Sequence, residues 1–124
     1  MAASPIAIDT APIRGGVIIA VAGEIDLLTA DQLTEALATE VGRHALVVVD
    51  LTAVHFLSSS GLAALALGHR AAVEAGHVLR LVAANRVTLR PIQITGLADE
   101  IAVFASLADA VAGAAPFDSR IEHG

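Results

Sequence analysis

The run from Ala45 to Val49 is apolar without alternation, and it constrains the fold more than any other feature of the chain. A strand with one face in water alternates apolar and polar residues, whereas a strand covered on both faces reads as a continuous apolar run. Strands of the second kind lie at the centre of parallel sheets, with helices packed against them. We therefore predict a central, parallel strand here and an α/β layer fold.

Periodicity and turn signals place the other strands around this one. Ile6, Ile8 and Thr10 alternate with smaller residues and indicate a first strand. The turn signal Arg14-Gly15-Gly16 connects it to a second strand over residues 17–22, which we expect to pair antiparallel with the first. Two further strands are predicted over residues 78–83 and 101–104.

Helix start and stop signals alternate with these strands. A first helix begins at the capping-box spacing Thr29-Ala30-Asp31-Gln32 and ends at Gly42. The remaining helices are predicted from about Ser59 to Ala75, from Asn85 to Gly96 with a kink or early end at Pro91, and from Ser106 to about Ala112. Residues 1–124 are predicted to form a single domain, with a core at about 6–113 and a loose tail at 115–124.

Composition excludes several classes of function. The chain carries a net charge of −6 and has three Phe but no Tyr or Trp, which argues against direct binding of nucleic acid. It has no Cys, so disulfides, thiol catalysis and cysteine-based metal sites are excluded. All seven basic residues are arginine, which excludes Schiff-base chemistry and a P-loop lysine. We expect no cofactor.

Neither a secretory signal nor a membrane span is visible in the sequence. The N-terminal residues Met1-Ala2-Ala3-Ser4-Pro5 lack a basic region followed by an apolar run. No apolar segment reaches the roughly 18 residues that a membrane-spanning helix needs. We expect a cytoplasmic, soluble protein that does not bind a membrane.

Three consecutive serines stand where a helix is predicted to start. A short loop is expected after Leu51, and Phe56-Leu57 then leads into Ser58, Ser59 and Ser60. One of these serines is explained as an N-cap, and capping alone could explain the cluster. A helix start also exposes unpaired N–H groups and the positive end of the helix dipole, so a phosphorylated side chain is tolerated there. This placement suggests a switch more than a catalyst.

The enzymatic alternatives have weak support. A serine hydrolase needs Gly-x-Ser-x-Gly at the nucleophile, and this chain has Leu57 where the first glycine belongs. Asp26 and Asp50 are each predicted to end a strand, where a carboxylate commonly accepts loop N–H bonds. We therefore predict no catalytic residue. His69 is predicted to lie at the edge of the core, and neither the histidines nor the carboxylates show metal-ligand spacing, so no metal site is predicted.

Four motifs in order resemble those of stand-alone STAS domains that act as anti-sigma-factor antagonists in bacteria. The resemblance covers about residues 6 to 113. The motifs are Gly23-Glu24-Ile25-Asp26 with Thr29-Ala30, Val47-Val48-Val49-Asp50-Leu51 through Val54-His55-Phe56, Ser59-Ser60-Gly61-Leu62, and Thr95-Gly96-Leu97. The resemblance implies a small mixed β-sheet flanked by α-helices, in agreement with the α/β prediction.

The family's known behaviour implies a function for this chain. Family members bind an anti-sigma factor that is also an ATP-dependent serine kinase, and so free a sigma factor. Phosphorylation of the second serine of the S-S-G-L motif ends this binding, and a serine phosphatase restores it. Carried over, the phosphoacceptor is Ser60, Ser59 and Gly61 shape the loop around it, and Asp26 belongs to the partner-binding loop. The ATP is bound by the partner, and a role in the response to stress is implied.

One position departs from the family pattern. Many members have aspartate immediately before the two serines, whereas this chain has Ser58. Serine caps a helix without adding charge. The departure leaves open whether Ser58, Ser59 or Ser60 accepts the phosphate. It also leaves an alternative function, a STAS adaptor or scaffold in a stress-signalling complex that is not phosphorylated.

Overall fold

The structure, a computed structural model, describes residues 6–113 and Pro116. Apart from Pro116, the tail predicted at 115–124 lies outside the described residues. The strands are β1 (Ile6–Ile13), β2 (Gly16–Ile25), β3 (Leu46–Leu57), β4 (Val78–Val82) and β5 (Ala102–Phe104). The helices are α1 (Ala30–Arg43), α2 (Ser59–Ala75), α3 (Arg86–Ile94) and α4 (Leu107–Ala112), with a 3₁₀ turn at Leu97–Asp99.

The five strands form one mixed sheet in the order β1-β2-β3-β4-β5. β1 and β2 are antiparallel, and the pairs β2–β3, β3–β4 and β4–β5 are parallel. β3 is therefore the central strand, as its continuous apolar run predicted, and Val47, Val48 and Val49 are fully buried in it. The α/β fold, the mixed sheet and the antiparallel first pair are all confirmed.

The larger core lies between one face of the sheet and helices α1, α2 and α3. The apolar stripe of α1 (Leu33, Leu37 and Val41) packs there with Leu65 of α2 and Ile92 of α3. The sheet contributes alternate residues, since successive side chains of a strand point to opposite faces. These sheet residues include Val17, Ile19, Val21, Val47, Val49, Leu51, Leu79 and Leu81.

A smaller core lies on the opposite face of the sheet, under α4. Val48, Val82 and Phe104 are buried there against Ala110. Arg80 lies on this face, and its guanidinium donates a hydrogen bond of 2.9 Å to the carbonyl oxygen of Ala110 near the end of α4. Both faces of β3 are therefore covered, which explains why its first half reads as an unbroken apolar run.

The loop predicted after Leu51 is wrong, because β3 continues without interruption to Leu57. The prediction that Asp50 ends a strand is wrong for the same reason. The β2–β3 register shifts between Ala20 and Ala22 and again between Gly23 and Glu24, and at each point β3 has one residue more than β2. Bulges of this kind interrupt the alternation of buried and exposed residues, so the second half of β3 lacks a strand-like pattern.

The predicted helices are present with small shifts at their ends. Asn85 and Ser106 cap α3 and α4 as predicted, accepting hydrogen bonds from the N–H groups of Thr88 and Asp109. α1 continues one residue past Gly42, and α3 continues three residues past Pro91. Among the described residues, no helix is both long enough and apolar enough to cross a membrane.

Candidate functional site

Ser58 is the N-cap of α2. Its backbone is extended (φ −83°, ψ 173°), and its hydroxyl oxygen accepts a hydrogen bond of 3.2 Å from the N–H of Gly61. Its carbonyl oxygen accepts the first helical bond, 3.0 Å from the N–H of Leu62. Capping therefore explains one of the three serines but not Ser59 or Ser60.

Ser59 and Ser60 are the first two residues of α2, as predicted for Ser60. Ser59 is exposed and Ser60 is partly exposed. Within the described part of the chain, neither hydroxyl has a hydrogen-bond partner, and the N–H groups of both residues belong to the unpaired set at a helix start. The first turn of α2 has no acidic residue. The unpaired N–H groups and the helix dipole therefore favour added negative charge here.

Gly61 is required by close packing. It is buried, and a Cβ atom at this position would lie 2.6 Å from Cγ2 of Ile25 and 2.7 Å from Cδ1 of Leu57. These distances are far inside van der Waals contact, so a Cβ atom here would displace the Ile25 or Leu57 side chain, and glycine lets α2 start directly on the ends of β2 and β3. Gly61 thus sets the position of the helix start and of Ser60 with it.

The loop between β2 and α1 lies beside the start of α2. The N–H of Ser58 donates a hydrogen bond of 2.9 Å to the carbonyl oxygen of Ile25, the last residue of β2. Asp26 follows Ile25, and its carboxylate accepts hydrogen bonds from the N–H groups of Leu28 and Thr29 at 2.9 and 3.0 Å. Asp26 is therefore one residue from the strand end that contacts the serine segment.

Thr29 does not form the predicted capping box. It occupies the N-cap position of α1, but its hydroxyl makes no capping bond. The hydroxyl oxygen instead accepts a hydrogen bond of 2.9 Å from the N–H of Asp26 and lies 2.9 Å from the carbonyl oxygen of Glu24. Thr29 is 1% exposed, and a buried hydroxyl needs such partners. Its role is to hold the loop closed.

Leu27 and Leu28 belong to this site and were missed from the sequence. They are 76% and 84% exposed, more than any other large apolar side chain among the described residues. Phe56, paired with Glu24 at the same end of the β2–β3 ladder, is 49% exposed. A pair of leucines outside any periodic element, between a strand end and a helix cap, is the signal that could have identified them.

The structure does not bring the candidate acid–base groups together. Asp50 is paired with Ala20 in the β2–β3 ladder, whereas Asp26 follows Ile25 at the end of that ladder. Six residues of strand separate the two positions, which is about 20 Å. The Asp50 carboxylate accepts a hydrogen bond from the N–H of Thr52, a local structural role.

The histidines do not complete a serine triad in the described residues. His77 has its Nδ1 2.7 Å from the carbonyl oxygen of Val41, and His44 lies 3.4 Å from the Glu40 carboxylate. His69 is half-buried on α2, as predicted for a histidine at the core edge. The described residues also contain no group of three His, Asp or Glu side chains that could hold a metal ion. His123 lies outside them.

A family model for the STAS domain matches residues 7–110 of the chain. The chain belongs to the STAS domain family. Anti-sigma-F factor antagonist RsfB of Mycobacterium tuberculosis is 37% identical to this STAS domain over 111 residues, which cover 87% of this chain and 88% of that protein. The family resemblance inferred from the four motifs is therefore confirmed.

Solved structures support the same assignment. An anti-sigma factor antagonist from Mycobacterium paratuberculosis is 33% identical to this STAS domain, with a TM-score of 0.81 over 87% of this chain and 92% of that one. The Bacillus cell fate determinant SpoIIAA in its phosphorylated form is 19% identical, with a TM-score of 0.67 over 86% of this chain and 98% of that one. The second likeness shows a shared fold.

The close packing at Gly61 gives a test of how α2 is positioned. We expect Gly61→Ala to lower the free energy of unfolding by about 1–2 kcal/mol. Overpacking costs about 1–3 kcal/mol, and the better helix propensity of alanine offsets up to about 1 kcal/mol of that. Gly42→Ala is the matched control, because a Cβ there meets nothing within 4 Å, and it should stabilise the protein slightly. Urea unfolding of both variants measures the difference; equal or greater stability of Gly61→Ala would contradict this packing argument.

Proposed function

We propose that this STAS domain is an anti-sigma-factor antagonist that is switched off by phosphorylation of Ser60. In its unphosphorylated form it binds an anti-sigma factor with serine kinase activity and so releases a sigma factor in the cytoplasm. The partner transfers the γ-phosphoryl group of its own ATP to Ser60, and a serine phosphatase reverses the modification. The name of the Mycobacterium tuberculosis relative, 37% identical over 87% of this chain, supports the antagonist function.

The position of Ser60 is the observation that carries the proposal. Ser60 is the second residue of α2, is partly exposed, and has a hydroxyl without a hydrogen-bond partner in the described part of the chain. Ser58 is less suitable, because its hydroxyl is engaged by the N–H of Gly61. Ser59 is more exposed than Ser60, so the choice between them rests on the family motif Ser59-Ser60-Gly61-Leu62, whose second serine is modified.

A phosphate on Ser60 suits the helix start. Phosphorylation adds about −1.5 to −2 charges and three acceptor oxygens. The unpaired N–H groups of the first turn can bond these oxygens, and the helix dipole favours an anion there by about 0.3–1 kcal/mol. SpoIIAA, whose fold this chain shares, has a solved structure in its phosphorylated form. We therefore expect the modified domain to remain folded.

The same charge opposes binding. An antagonist that buries a neutral Ser60 hydroxyl against its partner must bury a doubly charged group once Ser60 is modified. An unpaired charge removed from water costs several kcal/mol, and a loss of about 1.4 kcal/mol already weakens binding tenfold. Glu24 lies near the end of β2, Asp26 in the following loop and Asp31 in the first turn of α1. Phosphorylation of Ser60 would therefore add negative charge beside a segment that is already acidic.

Site-directed variants of Ser60 test the assignment. Ser60→Ala should bind the anti-sigma-F factor of Mycobacterium tuberculosis as well as wild type but take up no phosphate, because the acceptor hydroxyl is absent. Ser60→Asp should bind more weakly. Intact mass and site mapping after incubation with that factor and ATP measure phosphorylation, and calorimetry measures affinity.

Ser59→Ala and Ser58→Ala are the matched controls and should still gain one phosphate. Equal incorporation into wild type and Ser60→Ala would move the acceptor to Ser58 or Ser59. Binding by wild type with no mass change would favour the adaptor function without a phosphorylation cycle.

Ser58→Asp tests the departure from the family pattern. Aspartate caps a helix about as well as serine, so the helix start should be kept, and the acid found in many family members should raise the rate at which Ser60 is phosphorylated. Initial rates in a kinase assay measure the effect. A lower or unchanged rate would mean that the carboxylate repels the incoming phosphoryl group or has no influence on it.

The phosphorylated protein tests the mechanism of the switch. We expect phospho-Ser60 protein to keep its melting temperature within a few degrees, because the helix start accommodates the anion. Its affinity for the anti-sigma factor should fall at least tenfold. Thermal unfolding and calorimetry on the same sample measure both quantities. A clear fall in melting temperature together with lost binding would indicate local unfolding instead of a local electrostatic effect.

A further inference from the structure

The loop of Asp26, Leu27, Leu28 and Thr29 displays two leucines to solvent although its backbone is tightly held. Several hydrogen bonds brace it. The Asp26 carboxylate accepts from the N–H groups of Leu28 and Thr29, the Thr29 hydroxyl oxygen accepts from the N–H of Asp26, and the N–H of Thr29 also bonds the Asp26 carbonyl oxygen. The leucines are therefore exposed by the geometry of the loop, not by the absence of structure.

The two leucines do not take part in the packing of the domain. Leu27 and Leu28 stand next to each other, and neither belongs to the hydrophobic core. Because the backbone of the loop is already held, a partner that covers the leucines has to order only their side chains. Covering them removes apolar surface from water, which favours binding.

The position of the loop indicates what covers it. The hydrogen bond from Ser58 N–H to the Ile25 carbonyl oxygen joins the start of the loop to the cap of α2. Ser60 lies two residues after that cap. A partner that covers Ser60 therefore reaches the loop with little further extension. Glu24 and Asp31 are exposed on either side of the leucines, so the apolar pair has an acidic rim.

We propose that Leu27 and Leu28 are the apolar anchor through which this domain binds the anti-sigma factor, and that Asp26 positions them. The inference rests on the proposed function and deepens it. The complementary surface on the partner is an apolar pocket bordered by Arg or Lys side chains, which pair with Glu24 and Asp31. Asp26 is a positioning residue, since its carboxylate is engaged within the loop.

Binding of the anti-sigma-F factor of Mycobacterium tuberculosis to the full chain tests the anchor. Leu27→Ser and Leu28→Ser should each weaken binding about tenfold, which corresponds to about 1.4 kcal/mol, and the double variant should weaken it further. Val73→Ser is the matched control. Val73 is 61% exposed on α2, about 20 Å along the helix from Ser60, and its substitution should leave affinity unchanged. Equal melting temperatures show that the variants are folded.

Kinetics of phosphorylation separate the anchor from the phosphoacceptor. With the partner as the kinase and the STAS domain as the varied substrate, the leucine variants should show a raised KM and an unchanged kcat, because the acceptor Ser60 is intact and only docking is weakened. Wild-type affinity in the double leucine variant would overturn the anchor and leave the proposed function standing. Wild type that neither binds nor takes up phosphate would overturn both.

Variants of Asp26 test its positioning role. Asp26→Ala should weaken binding threefold to tenfold, whereas Asp26→Asn should restore it, because an amide oxygen can still accept the two N–H bonds. Failure of Asp26→Asn to restore binding would overturn the positioning role.

Sedimentation of wild type as a dimer, and of the double leucine variant as a monomer, would show that a second copy of the chain covers the leucines and would overturn the proposal.

Discussion

The parallel pairing of β2 with β3 continues to Ile25 and Leu57. This last pair of the ladder fixes the two segments on which the proposed function depends, the loop after β2 and the start of α2. Ile25 is followed by the loop that displays Leu27 and Leu28, and Leu57 is followed by the cap of α2. The hydrogen bond between Ser58 and Ile25 joins the two segments, and Gly61 lets the helix begin in contact with both strands. Displacing this junction would move the loop and the serines together.

This junction also indicates how the proposed phosphorylation of Ser60 would act without a large conformational change. The first turn of α2 is fixed by its cap and by close packing, and the N–H groups of Ser59 and Ser60 are unpaired within the described part of the chain. A phosphate on Ser60 would be stabilised by these N–H groups and by the helix dipole, so we expect no rearrangement of the domain. The effect of the charge falls on whatever surface faces Ser60. Under the proposed function, modifying one hydroxyl on a rigid surface is sufficient to weaken binding tenfold, because such a change in affinity needs only about 1.4 kcal/mol.

Much of this arrangement was predictable from the sequence, because it depends on local signals. The continuous apolar run identified the central strand, and the serine segment before an alanine- and leucine-rich stretch identified the start of α2. The length of β3 was not predictable, since two bulges interrupt the period of two that reveals a strand. The capping-box prediction at Thr29 was wrong for a different reason. The spacing of Thr29 to Gln32 fits a capping box, but the Thr29 hydroxyl forms its hydrogen bonds within the loop. The prominence of Leu27 and Leu28 depends on a loop geometry that no periodicity encodes.

The most direct test of a switch that acts locally on a rigid surface is a comparison of backbone amide spectra for the unmodified and the Ser60-phosphorylated protein. For a local effect, we expect chemical-shift changes confined to the start of α2 and the adjoining loop, at residues 25–30 and 57–63. Hydrogen-exchange protection of Val47, Val48 and Val49 should be unchanged. Shift changes spread through the sheet, or loss of protection along α2, would show that phosphorylation unfolds or rearranges the domain and would contradict the account.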